Sequence, residues 1–435
     1  MGRNSGGGRG ASRRLRERLG ALARFDVLAL TAAIWFLAKF LRYAFPPLFE
    51  PFQASYGVSN AEVGAAFTGF MLVYAAMQFP SGVLADRIGS VRVVVAGVGF
   101  TVAGAVVVTA GLFGGVLASF GALVVTMLVM GGGTGAHKTV AIRLLARVYP
   151  SRTGRALGVF DTIGTYGGVA APIAAVAFTT GVFSGLTGDS WRWLFLFAAG
   201  VGLLLGVVFL RRVPRHLEGD DLEDGGSNPG ESMASPGVRA YATLFAEPRL
   251  AAFVAVTLSF SFAYNGLVAF LPLYLTREAG LTATTAGGLY SLLFLVSFVQ
   301  LFSGEASDRA GQLPVIVAAL SMATAGVLAL VLLPIGGTPG GVVAVGAAVV
   351  VGGLGMHGFR PVRGSYLMRV LPADIAGGAL GVVRTGLMGA GAVAPVIIGV
   401  ISDGLGFRPA FGLLAAAMAA AATIAAALWL TAERA

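Results

Sequence analysis

Twelve long apolar windows decide what this chain can fold into. They lie near residues 26–48, 61–85, 91–112, 116–147, 155–181, 191–211, 249–275, 283–303, 313–334, 341–368, 376–400 and 408–430. Most are long enough to cross about 30 Å of hydrocarbon as a helix. In lipid, backbone N–H and C=O groups find no water, so a single apolar segment must satisfy them internally, as a helix does. The expected fold is therefore an all-α integral membrane protein with 12 transmembrane helices. Composition agrees: 56% of the 435 residues are hydrophobic and 11% are charged, whereas a soluble domain carries about 25% charged residues. The 65 glycines suit helices that approach one another closely in a membrane.

A net charge of +10 first suggests a nucleic-acid partner. The placement of the basic residues argues against one, because they gather in loops and tails as membrane topology demands. Arg87, Arg92, Arg147, Arg152, Arg155, Arg211, Arg212, Arg215, Arg239, Arg309 and Arg369 fall on one side, with the Arg-rich tail. Only Arg192, Arg277 and Arg408 fall on the other. The positive-inside rule then puts both termini in the cytoplasm of a multi-pass cell-membrane protein. Residues 1–25 read as a basic, flexible cytoplasmic tail able to rest on anionic lipid headgroups. Residues 26–211 and 248–430 read as two six-helix bundles, 212–247 as a polar cytoplasmic linker and 431–435 as a short cytoplasmic tail. The absence of cysteine excludes disulfides and thiolate metal sites; no metal site or cofactor is expected.

The two halves repeat. Gly82, Asp86, Arg87 and Gly89 of GVLADRIG map onto Gly304, Asp308, Arg309 and Gly311 of GEASDRAG. GRALGVFDTIGTYGGVAAP (154–172) maps onto GGALGVVRTGLMGAGAVAP (377–395), and GTGAH (133–137) onto GLGMH (353–357), at nearly the same shift. Parallel six-plus-six repeats belong to rocking transporters whose site lies between the halves near the membrane midplane.

With this repeat and a long central loop, GVLADRIGSVR resembles the loop between helices two and three of the major facilitator superfamily, G-x-L-[AD]-D-R-x-G-x-x-[RK]. Gly82, Leu84, Ala85, Asp86, Arg87, Gly89 and Arg92 match. The second copy keeps Gly304, Asp308, Arg309 and Gly311. The resemblance implies a two-bundle secondary transporter working by alternating access. It also implies a cytoplasmic gate in which Asp86 faces the start of helix eleven and Asp308 the start of helix five. A plainer reading of both Asp-Arg pairs is that they mark topology and cap helices.

Ionisable side chains within spans point to the substrate, because each costs at least about 2.5–3.5 kcal/mol at membrane depth. Helix one carries Lys39 and Arg42 on one face; helix four carries His137, Lys138 and Arg143. Helix ten carries His357, Arg360 and Arg363, and helix eleven carries Arg384 opposite Asp161 of helix five in the repeat. His357 and Arg360 are expected to share a face, with Arg363 turned away. This excess of cations favours a small-molecule anion, which arginine grips bidentately. Expected substrate contacts are Arg42 first, then Lys39, Lys138, Arg360, His137, His357 and Asn265. Alternatives stand for several: Arg143, Arg360 and Arg363 can snorkel to the interface, Arg384 can pair with Asp86 across the gate, and either histidine can be a packing residue. KFLRYAFPP is similar to the organic-anion and sugar-phosphate permease-like branches, in which a helix-one arginine contacts the anion. Helix seven offers Tyr264 and Asn265 where phosphate exchangers carry a second arginine, which favours a carboxylate or other small anion.

No phosphate-binding glycine loop appears, so an ion gradient or counter-substrate must drive transport. Asp161, His137 and His357 are the candidate proton sites inside the spans, and Asp161 is the expected carrier. The histidines are isolated from nucleophile or metal partners, so no enzyme is expected. The same fold also serves drug or metabolite exporters working as proton antiporters, and membrane sensors. Exporters of cations want acids in the cavity; sensors usually add a signalling domain. The chain is expected to act as a monomer.

Overall fold

The computed structural model describes residues 7–180, 189–213, 247–333, 339–371 and 376–432, with side chains from residue 26 and, in the last stretch, from 381. Among the described residues twelve helices are long and apolar enough to span a membrane. In the first half these are α1 (Asp26–Tyr56), α2 (Asn60–Ile88), α3 (Ser90–Phe113), α4 (Phe120–Val148), α5 (Pro150–Thr180) and α6 (Arg192–Arg212). The second half holds α7 (Pro248–Arg277), α8 (Ala283–Ala310), α9 (Gln312–Leu332), α10 (Pro339–Val370), α11 (Gly381–Leu405) and α12 (Phe407–Ala432). Each window expected from hydropathy thus holds one of these helices. Nearly all of the expected linker, 212–247, lies outside the described residues. The backbone is helical from Gly7 to Ala44. Residues 7–25 of the expected flexible tail are therefore helical, since Arg, Leu, Ala and Glu in ASRRLRERLGALARF are all good helix formers.

The two motif glycines have a local reason to be glycine. Gly89 ends α2 and starts α3 at φ +90°, and Gly311 does the same between α8 and α9 at φ +88°. Side chains strain such a backbone; glycine does not. Both turns lie at one end of the bundle, the motif end. Twelve crossings return both chain termini to that end.

Proline breaks are also answered locally. Pro272 in α7 cannot donate to the Val268 carbonyl, and Tyr290 of α8 donates to it instead, at 2.8 Å. At the end opposite the motif, Arg192 at the head of α6 is fully buried. It donates to the Val108 carbonyl at 2.7 Å, the Tyr56 hydroxyl at 2.7 Å and Asp189 at 3.2 Å, tying α1, α3 and α6 together.

The two halves meet tightly at that opposite end. Asp403 of α11 accepts from the backbone N–H groups of Asn60 and Ala61, at 3.0 and 2.8 Å, and so caps α2 across the boundary. Deeper in, the Val396 N–H donates to Thr68 Oγ1 at 3.1 Å, and Gly64 of α2 lies against the Pro395 carbonyl. The same contact recurs on the other side: Gly287 of α8 lies against Val176 and the Pro172 carbonyl of α5, and Ser291 donates to the Val169 carbonyl at 2.9 Å. The repeat that carries Pro172 onto Pro395 also carries Gly64 onto Gly287. Phe49 and Phe270 complete the closure edge-to-face, their ring centroids 5.4 Å apart. At the motif end the halves part around a cavity.

A Cβ at Gly64 would fall 2.5 Å from the Pro395 oxygen, so Gly64→Leu cannot be accommodated without separating α2 from α11. We predict that this variant opens the closed end. The chain has no cysteine of its own, so cysteines placed singly at Ser59 and Ser402 should react with a membrane-impermeant maleimide several-fold faster in the variant. Unchanged labelling rates would refute a closure held by this contact.

Candidate functional site

A cavity of about 340 Å³ lies between the halves, open toward the motif end. Its wall takes Trp35, Lys39, Arg42 and Tyr43 from α1, Tyr74 and Gln78 from α2, and Lys138 from α4. The second half supplies Tyr264 and Asn265 from α7, Arg360 and Arg363 from α10 and Arg384 from α11. Six cations line it, three from each half, with no carboxylate among the lining residues. None of the six is in an ion pair among the described residues.

Small residues let these side chains reach their places. Gly164 of α5 faces the Trp35 indole and Gly167 lies against the α1 backbone at Phe36 and Phe40. This brings α1 against α5, and Trp35 Nε1 donates to Asp161 at 3.3 Å. Gly391 of α11 likewise leaves room for Ser261 and Asn265.

Arg42 sits at the ceiling of the cavity. Its Nη2 donates to Asn265 Oδ1 at 3.1 Å, and its guanidinium stands over the Tyr43 and Tyr74 rings at 5.6 and 5.4 Å. Asn265 is held in turn, donating to the Ser261 carbonyl at 2.8 Å, and Ser261 donates to the Leu387 carbonyl at 2.6 Å. Lys39 and Lys138 place their ammonium groups 5.3 and 5.2 Å from the Trp35 ring centroid. Arg360 lies over the Tyr264 ring at 5.9 Å, and Arg363 over Phe260 and Phe359. Cation–π contacts of this kind contribute roughly 0.5–2 kcal/mol each, less than the several kcal/mol lost when an ion leaves water.

Asp161 faces a side chamber of about 210 Å³ between α5 and α8, which shares Lys39 and Arg360 with the central cavity. Lys39 and Arg360 thus stand in the wall between the two spaces.

Five of the seven expected substrate residues come together here: Lys39, Arg42, Lys138, Asn265 and Arg360. The two histidines do not. His137 is turned about 100° from Lys138 around α4, into its own half, where its Nε2 lies 3.0 Å from the Thr31 carbonyl beside Trp35 and Phe160. His357 shares the Arg360 face as expected but sits above the ceiling, where the halves have closed. It is covered by Tyr264 and Phe294 and lies against the Leu293 backbone. Arg363, expected to turn away, lines the cavity because the open mouth is wide enough to expose that side of α10 as well.

The gate residues are placed differently from the family pattern. Asp86 is paired with Arg143 of its own half, at 2.8 Å, and Arg143 also donates to the Gly82 carbonyl at 3.2 Å. Arg384, one expected partner of Asp86, is an exposed residue of the cavity wall. With the motif end open, α11 stands away from α2, and Asp86 takes the nearest cation. Arg87 and Arg92 are exposed, as are Asp308 and Arg309, and Arg309 pairs with Glu305 at 2.5 Å. Gly304 meets no neighbour that a side chain would strike. The second octet thus keeps the turn glycine but not the arginine clasp of the first.

Sequence reasoning missed Trp35, the aromatic platform for both lysines, and the Asp86–Arg143 pair. The repeat carried a usable signal: the shift that takes His137 to His357 takes Arg143 to Arg363, marking both as paired functional positions.

Comparison with known proteins places the fold. The Major Facilitator Superfamily profile matches residues 31–355. The D-galactonate transporter of Escherichia coli O6:H1 is 26% identical over 282 residues, covering 59% of this chain and 60% of its own length. The probable sulfoacetate transporter of Cupriavidus necator is 26% identical over 403 residues, covering 88% of each. Two multidrug resistance protein B homologs of Mycobacterium tuberculosis are also among the relatives. The crystal structure of a bacterial homolog to the human lysosomal transporter Spinster superposes with a TM-score of 0.69 at 18% identity, over 95% of this chain and 97% of that one. With 12 spanning helices in two pseudo-symmetric halves and a family match over most of its length, the chain belongs to the major facilitator superfamily.

Proposed function

We propose that the protein is a secondary active transporter of small organic anions in the cell membrane, working by alternating access. The observation that carries this reading is the cavity itself: six cations, from both halves, at membrane depth, with no carboxylate on its wall. Relatives named for D-galactonate and sulfoacetate support it. Relatives named for multidrug resistance keep an exporter in view, but a cationic drug would meet like charge on every side. The cavity is complete within one chain, which favours a monomer.

With both termini cytoplasmic by the positive-inside rule, the motif end faces the cytoplasm and the structure is inward-open. Asp86 then has two partners in two states: Arg143 when the motif end is open, and the start of α11 when it is closed. The Arg143 pair is about half exposed on both sides, and such pairs are worth ~0–1 kcal/mol. It is weak enough to exchange. Asp161, linked to Trp35 and beside the lysines, is the proposed proton carrier.

Three experiments test these assignments. Purified protein should be stabilised against heat by small organic anions and not by cationic drugs, by about 2.7 kcal/mol when the ligand is a hundredfold above its Kd. Arg42→Ala should abolish that shift, and stabilisation by cationic drugs alone would refute the anion reading. Asp161→Asn should stop gradient-driven uptake into proteoliposomes while sparing counterflow; uptake equal to wild type would remove Asp161 from coupling. Asp86→Asn should move the melting temperature by only a few degrees yet slow transport at least several-fold, and an unchanged rate would leave Asp86 as a topology marker.

A further inference from the structure

We propose that the cavity is a two-point site for dianions. It takes a small molecule with two acid groups, one at Arg42 and the other at Lys39, Lys138 and Arg360. This rests on the reading of the cavity as an anion site and narrows it.

The cations fall into two centres at different depths. The ceiling centre is Arg42. Among the described residues its side-chain hydrogen bond is to a neutral acceptor, Asn265 Oδ1, at 3.1 Å. Its Nε is buried without a partner among the described residues. The bonds from Asn265 to the Ser261 carbonyl and from Ser261 to the Leu387 carbonyl fix the amide, and the amide fixes the guanidinium. The result is a preset group of donors that lacks a negative charge.

The second centre lies one helical turn toward the mouth. Lys39 and Lys138 converge on the Trp35 ring, 5.3 and 5.2 Å from its centroid, and Arg360 approaches from the other half over Tyr264 at 5.9 Å. Their partners are aromatic faces. The one acid nearby, Asp161, is held by the Trp35 indole and faces the side chamber. It can balance one of the three positive charges and no more.

A monoanion at either centre leaves the other uncompensated at membrane depth, whereas a dianion answers both. Lys39 and Arg42 are three residues apart on one helix face, a rise of ~4.5 Å along the axis. Two carboxylates, or a carboxylate and a sulfonate, joined by one to three methylenes match that separation, and a molecule of this size fits a cavity of about 340 Å³. Arg363 and Arg384 lie nearer the mouth, Arg384 exposed there, and serve to draw the anion in. The second centre is built from both halves, so an acid group bound there also bridges them.

The test is a thermal-shift titration of the purified full-length protein, at pH 7.5 and constant ionic strength. Malonate, succinate and glutarate are compared with acetate, propionate and butyrate. The dianions should reach half-maximal stabilisation at concentrations at least tenfold lower than the monoanions. Lys39→Met should erase that preference while monoanions still stabilise through Arg42. Lys138→Met is the second variant should Lys39→Met fail to fold, and it should give a partial loss in the same direction. Equal potency of mono- and dianions in the wild type would overturn the two-point site and leave the anion reading standing. Stabilisation by no anion at all would overturn both.

Discussion

Placing six cations in the middle of a membrane protein without matching acids is the constraint on which the rest of this structure turns. Each cation lies within an apolar span, where an isolated charge costs several kcal/mol. Aromatic faces offset part of that. Trp35 serves two ammonium groups, while Tyr43, Tyr74 and Tyr264 serve guanidinium groups. The remainder has to come from water in an open cavity or from a bound anion. The helices are arranged accordingly. Glycines in α5 and α11 bring α1 and α7 close enough to present their polar residues, and the halves part where the cations are and meet at the Asp403 cap, the glycine–proline contacts and the Phe49–Phe270 pair.

The closed end is held by contacts that suit a reversible switch. Asp403 capping α2, one hydroxyl accepting an N–H and two glycine–proline contacts are each modest. A carboxylate at a helix N-terminus contributes about 0.3–2 kcal/mol, and a neutral hydrogen bond about 0.5–1.5 kcal/mol. The motif end offers Asp86 an exposed pair of similar weakness. Two states separated by a few kcal/mol can be reversed by a ligand that binds one of them better.

The span pattern, the repeat and the motif turns were legible in the sequence because each follows from local chemistry. Hydropathy sets the spans, and positive φ demands glycine at Gly89 and Gly311. Lys39 and Arg42 could be placed on one face of α1 by helical geometry alone. The histidines could not be placed correctly. Whether His357 faces a cavity depends on the depth at which the halves close, and the pattern within α10 does not encode that. His137 adjoins a cavity lysine in sequence but is rotated away from it in space. The partner of Asp86 was illegible for a different reason: it depends on which end of the protein is open, and one sequence serves both states.

The distribution of charge between the halves supplies the link from binding to motion. Lys39, Arg42 and Lys138 belong to one half, and Arg360, Arg363 and Arg384 to the other. Closing the motif end brings these two sets together. At 10 Å and an effective dielectric constant of 20, each pair of like charges repels by about 1.7 kcal/mol, and several such pairs face each other. An empty cavity therefore resists closure. An anion between the halves converts repulsion into shared attraction, because both sets of cations now face the same negative charge. On the anion reading, the excess positive charge both selects the cargo and holds the motif end open until the cargo is aboard. If Asp161 is the proton carrier proposed above, its place in the chamber behind Lys39 and Arg360 tunes that threshold. Protonating it raises the positive charge next to the second centre, and so raises both the affinity for the anion and the resistance of an empty cavity to closing.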